Sequence, residues 1–372
     1  MSWSPDRPHN ELPDLPPTPD VESKRVLKLA VEARASVGAL NQATKRLPNP
    51  TVLLNAIPLL EAQASSEIEN IVTTADELFA AAGDERSAAT PETKETLRYR
   101  AALMFGVQSV RRRPLSIATV TELCSLVQSR TMHVRNLPGT FVGNPTTKEA
   151  IYRPPEGQAL LLEKLDAWQR FVNSERTMDP LVVMALAHYQ FEAIHPFADG
   201  NGRTGRIVNI LHLIQHGLLD QPVLYLSRFI IRRKDEYYRL LLEVTAHGAW
   251  ENWVAFMLEG VRSTADSTVA KIDTIQHLQR TMQDSLRAFI PGGANADLLD
   301  VLFEQPYCRI TDVMSRCGVS RPTATKWLNS LVDGGVLSDV RMGKQRIFIN
   351  DAFFAVLTRP DETNRDSDPM LF

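Results

Sequence analysis

A short glycine-rich segment carries the residues whose types and spacing can do chemistry: IHPFADGNGRTGR, positions 194–206. Gly200 and Gly202 permit unusual dihedral angles, so successive backbone N–H groups can form a concave anion site. Arg203 and Arg206 add guanidinium groups, whose planar donors suit a phosphate. The segment therefore predicts a phosphate-binding site.

Two further side chains of this segment indicate what is done to the phosphate. Asp199 would repel a phosphate placed against it, and its presence is explained if a Mg²⁺ ion lies between the two. His195 is the titratable group of the segment that can accept a proton near neutral pH. A base, a metal ligand, an anion cradle and two arginines within twelve residues indicate transfer from a nucleoside triphosphate.

Other glycine-rich motifs do not fit the segment. No Gly-Lys-Ser/Thr follows, as in a Walker loop, and no strand precedes it, as in a dinucleotide fingerprint. The alternative without chemistry is a glycine-rich turn between two helices, whose His and Arg side chains only cap those helices.

Two predicted helices position the segment. Asp179 and Pro180 are typical of a helix start, and apolar residues follow up to Ile194. A second helix with apolar periodicity comes next and ends near Gly217. The glycine-rich segment therefore lies at the N-terminus of the second helix, where the helix dipole favours an anion.

The pattern HPFxDGNGRxxR is complete from His195 to Arg206, and with it the sequence resembles the Fic domain proteins, a family of protein adenylyltransferases. The resemblance extends over nearly the whole chain. In its order of segments the sequence is similar to a bacterial subgroup of that family. It implies a mainly α fold, in which a Fic-type helical bundle carries a β-hairpin flap and is followed by a C-terminal winged helix. It also implies an enzyme that transfers AMP from ATP, with Mg²⁺, to a Ser, Thr or Tyr hydroxyl of a target protein or of itself, and releases pyrophosphate.

The resemblance implies a role for each matching residue. His195 would deprotonate the target hydroxyl, so that its oxygen attacks the α-phosphate of ATP. Asp199 would bind Mg²⁺, and Phe197 would anchor the loop in the core. The residues implied to contact ATP are Glu69, His195, Gly200, Asn201, Gly202, Arg203, Thr204, Gly205, Arg206 and Tyr238.

The base of the nucleotide is expected near residues 235–239, which resemble the segment where the family places a tyrosine against the base. Tyr238 is preferred to Tyr237 for this contact, and the alternative is two tyrosines on an ordinary amphipathic helix. The family often has an Asn seven positions later, where this chain has Thr245.

A β-hairpin is predicted to interrupt the helices. Strand-like pieces at 140–142 and 150–153 flank Gly143-Asn144-Pro145, which supplies turn chemistry. The hairpin, residues 137–155, resembles the flap of the family, which is implied to clamp a segment of the target protein by strand addition.

Residues 65–70, SSEIEN, resemble the inhibitory motif of the family, with Ser65, Glu69 and Asn70 at its fixed positions. The resemblance implies that Glu69 pairs with Arg206 and blocks the subsite of the ATP γ-phosphate. A carboxylate there would form an ion pair with the arginine, which could then not bind the phosphate, and it would repel the phosphate. ATP could then bind with its α-phosphate misaligned, and a shift of ~1 Å can lower a rate ~100-fold.

The remaining boundaries follow from prolines, glycines and changes of periodicity. Residues 1–20 hold six prolines and are expected to lie extended over the surface. The predicted segments are a proline-rich N-terminal segment (1–20), a helical N-terminal region with the inhibitory motif (21–113), a Fic core (114–260), a linking helix and boundary (261–296), a winged helix (297–350) and a C-terminal tail (351–372).

Composition excludes several classes of protein. The 372 residues are 44% hydrophobic and 23% charged, as in globular proteins of two or three domains. With 41 basic and 44 acidic residues, the chain does not bind a polyanion through bulk charge. Its three cysteines form no CxxC pair, which argues against a disulfide scaffold or a zinc cluster. We find no apolar run of ~18 residues and no signal peptide, so a cytoplasmic protein without a membrane segment is expected.

Three questions stay open from the sequence. The winged helix carries seven basic and five acidic residues between 298 and 350, a thin footprint for DNA, so contact with a protein or a homodimer is an equal alternative. His212 and His216 could share a metal, although ordinary helix positions are the simpler interpretation. The alternative functions are removal of AMP from modified proteins, and a transcription regulator that uses the Fic core as a sensor.

Overall fold

The computed structural model describes residues 3–18, 20–47, 49–82, 90–144, 149–174, 178–290, 296–342 and 345–359. The chain divides into two compact units, which are described separately. The first comprises residues 1–45 and 57–266, and the second comprises residues 46–56 and 267–372. None of the helices in the described ranges is both long enough and apolar enough to cross a membrane.

Helices dominate the first unit, as predicted. The helices over residues 51–68 and 250–289 each include residues that belong to the second unit. The elements are α1 (Lys24–Lys45), α2 (Thr51–Ile68), α3 (Ala75–Ala82), α4 (Pro91–Val110), α5 (Ile117–Gln128), β1 (Val142–Asn144), β2 (Glu149–Tyr152), α6 (Gln158–Asn173), α7 (Pro180–Ile194), α8 (Asn201–Gln215), α9 (Leu226–Arg232), α10 (Lys234–His247) and α11 (Trp250–Phe289).

The core of this unit is built around α7 and α8. Both helices are buried on nearly every face, which explains why α7 is apolar all round rather than amphipathic. The helix α7 packs against α6 and α8, and α4 packs against α5 and α8. The predicted cap is present, because Asp179 Oδ1 accepts a hydrogen bond of 2.8 Å from the backbone N–H of Leu181.

The predicted hairpin is present with slightly shifted strands. The strands β1 and β2 pair antiparallel, with Val142 opposite Tyr152. Gly143 and Asn144 of the predicted turn belong to β1, and Pro145 lies outside the described residues, as do residues 146–148. The proline-rich segment is not merely extended over the surface, because Leu12 is fully buried and the backbone N–H of His9 donates to Arg153 O at 2.9 Å.

The second unit contains a small antiparallel sheet with helices. Its strands lie in the order β3-β5-β4, with Cys308 opposite Phe348 and Val340 opposite Ile347. This element order is compatible with the predicted winged helix. The elements are α12 (Ala296–Glu304), β3 (Tyr307–Arg309), α13 (Ile310–Cys317), α14 (Arg321–Asp333), β4 (Ser338–Met342), β5 (Gln345–Ile349) and α15 (Asp351–Thr358).

The predicted C-terminal tail is corrected at its start. Residues 351–358 form α15. Asn350 caps this helix, because its Oδ1 accepts from the backbone N–H of Phe353 at 3.1 Å. Phe353 and Leu357 are fully buried, so this helix completes the core of the second unit. Residues 360–372 lie outside the described residues.

Arg316 and Arg346, which belong to the seven basic residues between 298 and 350, form ion pairs with described residues. Arg346 contacts Asp339 at 2.6 Å, and Arg316 contacts Glu304 at 3.1 Å. These pairs reduce the positive charge that is free to meet a nucleic acid. The small excess of positive charge between residues 298 and 350 is therefore even less available to DNA in the structure than the sequence indicated.

Candidate active site

The catalytic candidate His195 ends α7 in a left-handed conformation, with a φ of 48°. This conformation costs a residue with a side chain about 1–2 kcal/mol. Arg135 stabilises it: the Nε atom donates to His195 O at 2.8 Å, and its backbone N–H donates to Pro196 O at 2.9 Å. Arg135 is buried and was not predicted from the sequence, because no motif surrounds it.

Burial controls the proton affinity of the same histidine. It lowers the pKa of His195 to about 4, and the positive charge of Arg135 acts in the same direction. The imidazole is therefore neutral at pH 7 and has a free lone pair. A neutral imidazole can accept a proton, as the predicted base must.

The turn after His195 is held closed by one side chain. Asn201 Oδ1 accepts from the backbone N–H of Phe197, and its Nδ2 donates to Phe197 O, both at 2.8 Å. Phe197 is fully buried and lies 6.4 Å from the Phe191 ring, between ring centroids, as expected of an anchor. Gly200 has a φ of 81°, and a Cβ atom there would lie 2.7 Å from the Gln128 amide.

Several residues implied to contact ATP also shape the loop. Arg203 is buried and forms an ion pair with Glu95 of α4. The Thr204 hydroxyl donates to Gly200 O at 2.8 Å. Gly205 faces α7, where a Cβ atom would lie 2.5 Å from Glu192 Oε1. Gly200, Asn201, Arg203, Thr204 and Gly205 are not among the residues that line the cavity beside the loop.

That cavity has a volume of about 650 Å³, a size typical of small-molecule sites. The loop, the end of α2, the hairpin strands and α10 surround it. Of the residues implied to act on ATP, those that line it are Glu69, His195, Asp199, Gly202, Arg206 and Tyr238.

The predicted inhibitory motif contacts Arg206 at the cavity. The Nε atom donates to Ser65 Oγ at 2.8 Å, and Nη2 donates to Ser65 O at 2.8 Å and to Glu69 Oε1 at 2.7 Å. Burial alone would raise the pKa of Glu69, but the charge and hydrogen bond of Arg206, together with the charge of Arg203, outweigh it and lower that pKa below the ordinary value. The pair between Glu69 and Arg206 is therefore formed as expected. Asn70 follows α2 in a left-handed conformation, with a φ of 63°.

A second carboxyl of α2, Glu61, was missed by sequence reasoning. Its Oε2 accepts from the backbone N–H of Ser227 at 2.9 Å, and its Oε1 accepts from the Tyr99 hydroxyl at 3.2 Å. Burial raises the pKa of Glu61 above its ordinary value. Glu61 ties α2 to α4 and α9, and so holds the helix that carries Glu69.

The two tyrosines of α10 have different surroundings. Tyr237 is fully buried, and its hydroxyl lies 2.8 Å from His188 Nε2. Tyr238 is 39% exposed and faces the cavity, which favours it for contact with a base. Thr245 also lines the cavity, and its hydroxyl lies 2.9 Å from the Tyr189 hydroxyl.

His212, which was considered as a metal ligand together with His216, has a partner in the backbone. His212 Nε2 lies 2.9 Å from Pro180 O, at the start of α7. The rings of His212 and His216 lie 4.2 Å apart between centroids. Burial lowers the pKa of His212 to about 3. This bond to the backbone gives His212 an ordinary role in joining α7 and α8.

Three family models match the chain. They are "Fic/DOC family N-terminal" at residues 27–108, "Fic/DOC family" at residues 117–213, and "Protein adenylyltransferase SoFic-like, C-terminal domain" at residues 278–353. Together they match more than half of the 372 residues. The second match contains the whole glycine-rich loop.

Curated relatives are similar over the central part of the chain. The proteins named "Protein adenylyltransferase Fic" from Drosophila melanogaster and Drosophila sechellia are each 33% identical over 114 residues, or 30% of this chain. The matched part spans 21% of each relative, so the chain covers about a fifth of their length.

Solved structures share the fold at low sequence identity. A Fic family protein from Desulfovibrio desulfuricans has a TM-score of 0.56 and 22% identity, covering 90% of this chain and 98% of that one. A Fic-1 fragment from C. elegans has a TM-score of 0.51 and 21% identity, covering 65% of this chain and 70% of that one. With its N-terminal, central and C-terminal parts each matched by a family model and its complete HPFADGNGRTGR loop bordering the cavity, the chain belongs to the Fic/DOC family.

Proposed function

We propose that the protein transfers AMP from ATP to a hydroxyl group of a target protein, or of itself. The observation that carries the proposal is the placement of a neutral histidine, a guanidinium and an exposed carboxylate around one cavity beside the glycine-rich loop. The names of the curated relatives agree with this activity. Ser, Thr and Tyr are the side chains whose hydroxyl groups fit the chemistry.

The proposed step is a displacement at the α-phosphate. The target hydroxyl gives its proton to His195, and its oxygen forms a bond to the α-phosphorus. The bond from that phosphorus to the bridging oxygen breaks, and pyrophosphate leaves with the electron pair. AMP remains on the target oxygen, so no oxidant, reductant or water is consumed.

Asp199 fits a magnesium ion that arrives with the nucleotide. Its side chain is exposed beside the cavity, and Oδ1 accepts from the backbone N–H of Gly200 at 2.6 Å. No group of three or more metal-ligating residues was found in the described part of the chain. Mg²⁺ is often bound through one or two carboxylates plus substrate phosphates, so a single Asp suffices. The ion would neutralise charge that develops on the phosphates.

We propose that Glu69 inhibits the transfer. Its carboxylate occupies the Arg206 guanidinium, which would otherwise bind the γ-phosphate of ATP. Because Arg206 also donates twice to Ser65, the whole end of α2 is fixed against α8. Full activity then requires that Glu69 leaves this position.

The hairpin is the proposed docking site for the target. The strand β1 lines the cavity, and β2 carries the exposed side chain of Ile151, which is 52% exposed. An extended segment of a target could pair with an edge of this two-stranded sheet and present its hydroxyl to His195. Such pairing would supply the further strand that an isolated hairpin needs for stability.

The position of the label tests the proposed chemistry. The full chain with Glu69→Gly would be incubated with Mg²⁺ and ATP labelled at the α-phosphate, with and without candidate target proteins. We expect the α-label on protein, and no transfer when the label is at the γ-phosphate. His195→Ala should lower the transfer at least ~100-fold without unfolding. Transfer of the γ-label, or undiminished transfer by a folded His195→Ala protein, would show the mechanism to be wrong.

A further inference from the structure

One carboxyl oxygen in the wall of the cavity lacks a hydrogen-bond partner among the described residues. Glu192 lies on α7, three residues before His195, and lines the cavity. Its Oε1 atom is fully buried and has no hydrogen-bond partner among the described residues. A Cβ atom at position 205 would lie 2.5 Å from that oxygen, so Gly205 leaves the space that the carboxyl occupies.

The hydrogen bonding of Glu61, in the same unit, can be compared with that of Glu192. It is also a buried glutamate close to Arg206, yet its oxygens accept hydrogen bonds from Ser227 and Tyr99. A buried polar group that serves only the fold is normally satisfied in this way. Glu192 differs from Glu61, because its Oε1 packs beside Gly205 without a hydrogen-bond partner among the described residues. Its side chain also lines the cavity, so a ligand there can reach the carboxyl group.

The groups around Glu192 favour its neutral form. Burial raises the pKa of Glu192 to about 8, the charge of Arg206 opposes this rise, and the charge of Glu69 adds to it. The carboxyl is therefore mostly protonated at pH 7. The charged or titratable groups that face the cavity with it are Glu69 after α2, Tyr152 of β2, Tyr189 of α7, His195 and Asp199 of the loop, Arg206 of α8, and Lys234, Tyr237 and Tyr238 of α10.

We propose that Glu192 binds the nucleotide as a neutral carboxylic acid, by donating a hydrogen bond to a phosphate oxygen that Arg206 holds. This inference rests on the proposed function, in which ATP occupies this cavity. An ionised carboxylate would repel the phosphate, whereas a protonated one adds a donor beside the guanidinium. Deprotonation of Glu192 therefore weakens the binding of ATP.

ATP binding by the full chain at two pH values tests the inference. The dissociation constant of ATP would be measured by calorimetry at pH 7 and pH 9, with Mg²⁺ at one saturating concentration. A single site with a pKa of about 8 predicts a rise on the order of tenfold between these values. Glu192→Gln keeps a donor and the volume, so we expect an affinity within about threefold of wild type at pH 7 and no such rise.

Two further variants control for effects on the fold. Glu192→Leu removes the donor and should weaken ATP binding roughly tenfold at pH 7, with little dependence on pH. Glu61→Gln changes a buried carboxyl outside the cavity lining and should keep the pH dependence of wild type. A wild-type affinity that does not change with pH, or an equal rise in Glu192→Gln, would overturn the inference.

2′-Deoxy-ATP separates the phosphate from the ribose as the partner of Glu192. The same pH dependence with this nucleotide supports the phosphate, and its loss would overturn that assignment. Transfer of the α-label is measured separately on each variant. Transfer without any effect at position 192 leaves the proposed function intact and removes this inference. If ATP binding depends on Glu192 but no label is transferred, the inference stands and the proposed function is wrong. If neither wild type nor Glu69→Gly binds ATP, both the inference and the proposed function are wrong.

Discussion

Gly202 leaves the space in which the Glu69 carboxylate lies. A Cβ atom at position 202 would collide with Glu69 Oε1 and lie 3.0 Å from Arg206 Nη1. The sequence predicts a role in phosphate binding for this glycine, and in the structure the glycine faces the Glu69 carboxylate. The same absence of a side chain serves whichever anion, carboxylate or phosphate, is bound by Arg206.

The first prediction is that Gly202 and Glu69 are thermodynamically coupled. Gly202→Ala in the otherwise unchanged chain should lower the free energy of unfolding by about 1–3 kcal/mol, because the new methyl group displaces Glu69 from a buried guanidinium. In a Glu69→Gly background the collision is gone, and alanine is the better helix former by roughly 0.5–1 kcal/mol. Denaturant unfolding of the four proteins gives the coupling energy, and additive effects would exclude the contact.

Removal of the inhibitory carboxylate should increase transfer. Glu69→Gly frees Arg206, and we expect the initial rate of AMP transfer, self-modification included, to rise up to ~100-fold. Truncation of one partner of a buried charge pair usually harms a protein, so a gain is not expected of a merely structural pair. Arg206→Ala in the Glu69→Gly chain should return the rate to a low level. Equal rates for wild type and Glu69→Gly at saturating ATP would contradict inhibition through this residue.

Asp199→Ala should affect metal-dependent transfer much more than nucleotide affinity. The variant removes the carboxylate but keeps the loop closed by Asn201, so nucleotide affinity should fall less than about tenfold. Transfer at ordinary Mg²⁺ should be nearly lost, because the ligand for the ion is absent. Titration of the rate with Mg²⁺ measures the effect, and Asp220→Ala, an exposed aspartate away from the cavity, is the matched control. An unchanged Mg²⁺ dependence would show that Asp199 is not the ligand.

The sequence predicted those parts of the site that are contiguous. The loop between α7 and α8 uses neighbouring residues, so its glycines, its base and its anchor can be recognised from their spacing. The cap at Asp179 is equally local. The hairpin strands were displaced by one or two residues, because pairing register depends on partners as well as on composition.

The missed residues act across long separations in sequence. Arg135 and His195 are 60 positions apart, and Glu61 and Ser227 are 166 apart, so no local pattern connects them. The start of the expected tail forms α15 because Phe353 and Leu357 find a core made by distant residues. Tertiary packing, which is invisible in a short window of sequence, decided these positions.

The last prediction concerns Arg135, which we expect to position His195 without contacting the nucleotide. Its guanidinium donates to His195 O at 2.8 Å and to Ile194 O at 3.3 Å, and an ammonium group cannot span both carbonyls in the same way. Arg135→Lys should therefore lower the maximal rate of transfer by about 10–100-fold, while the ATP dissociation constant changes less than about threefold.

The charge of Arg135 can be tested separately, through the dependence of the transfer rate on pH. It helps burial to lower the pKa of His195 to about 4, so Arg135→Gln should raise that pKa. Because the base must be neutral, the acidic limb of the rate profile moves to higher pH in Arg135→Gln, whereas Arg135→Lys keeps the charge and the position of the limb. Arg130→Gln removes an exposed positive charge from the preceding turn and should change neither quantity. A lower rate in Arg135→Gln with an unmoved limb would mean that Arg135 acts on the loop alone, and not on the base.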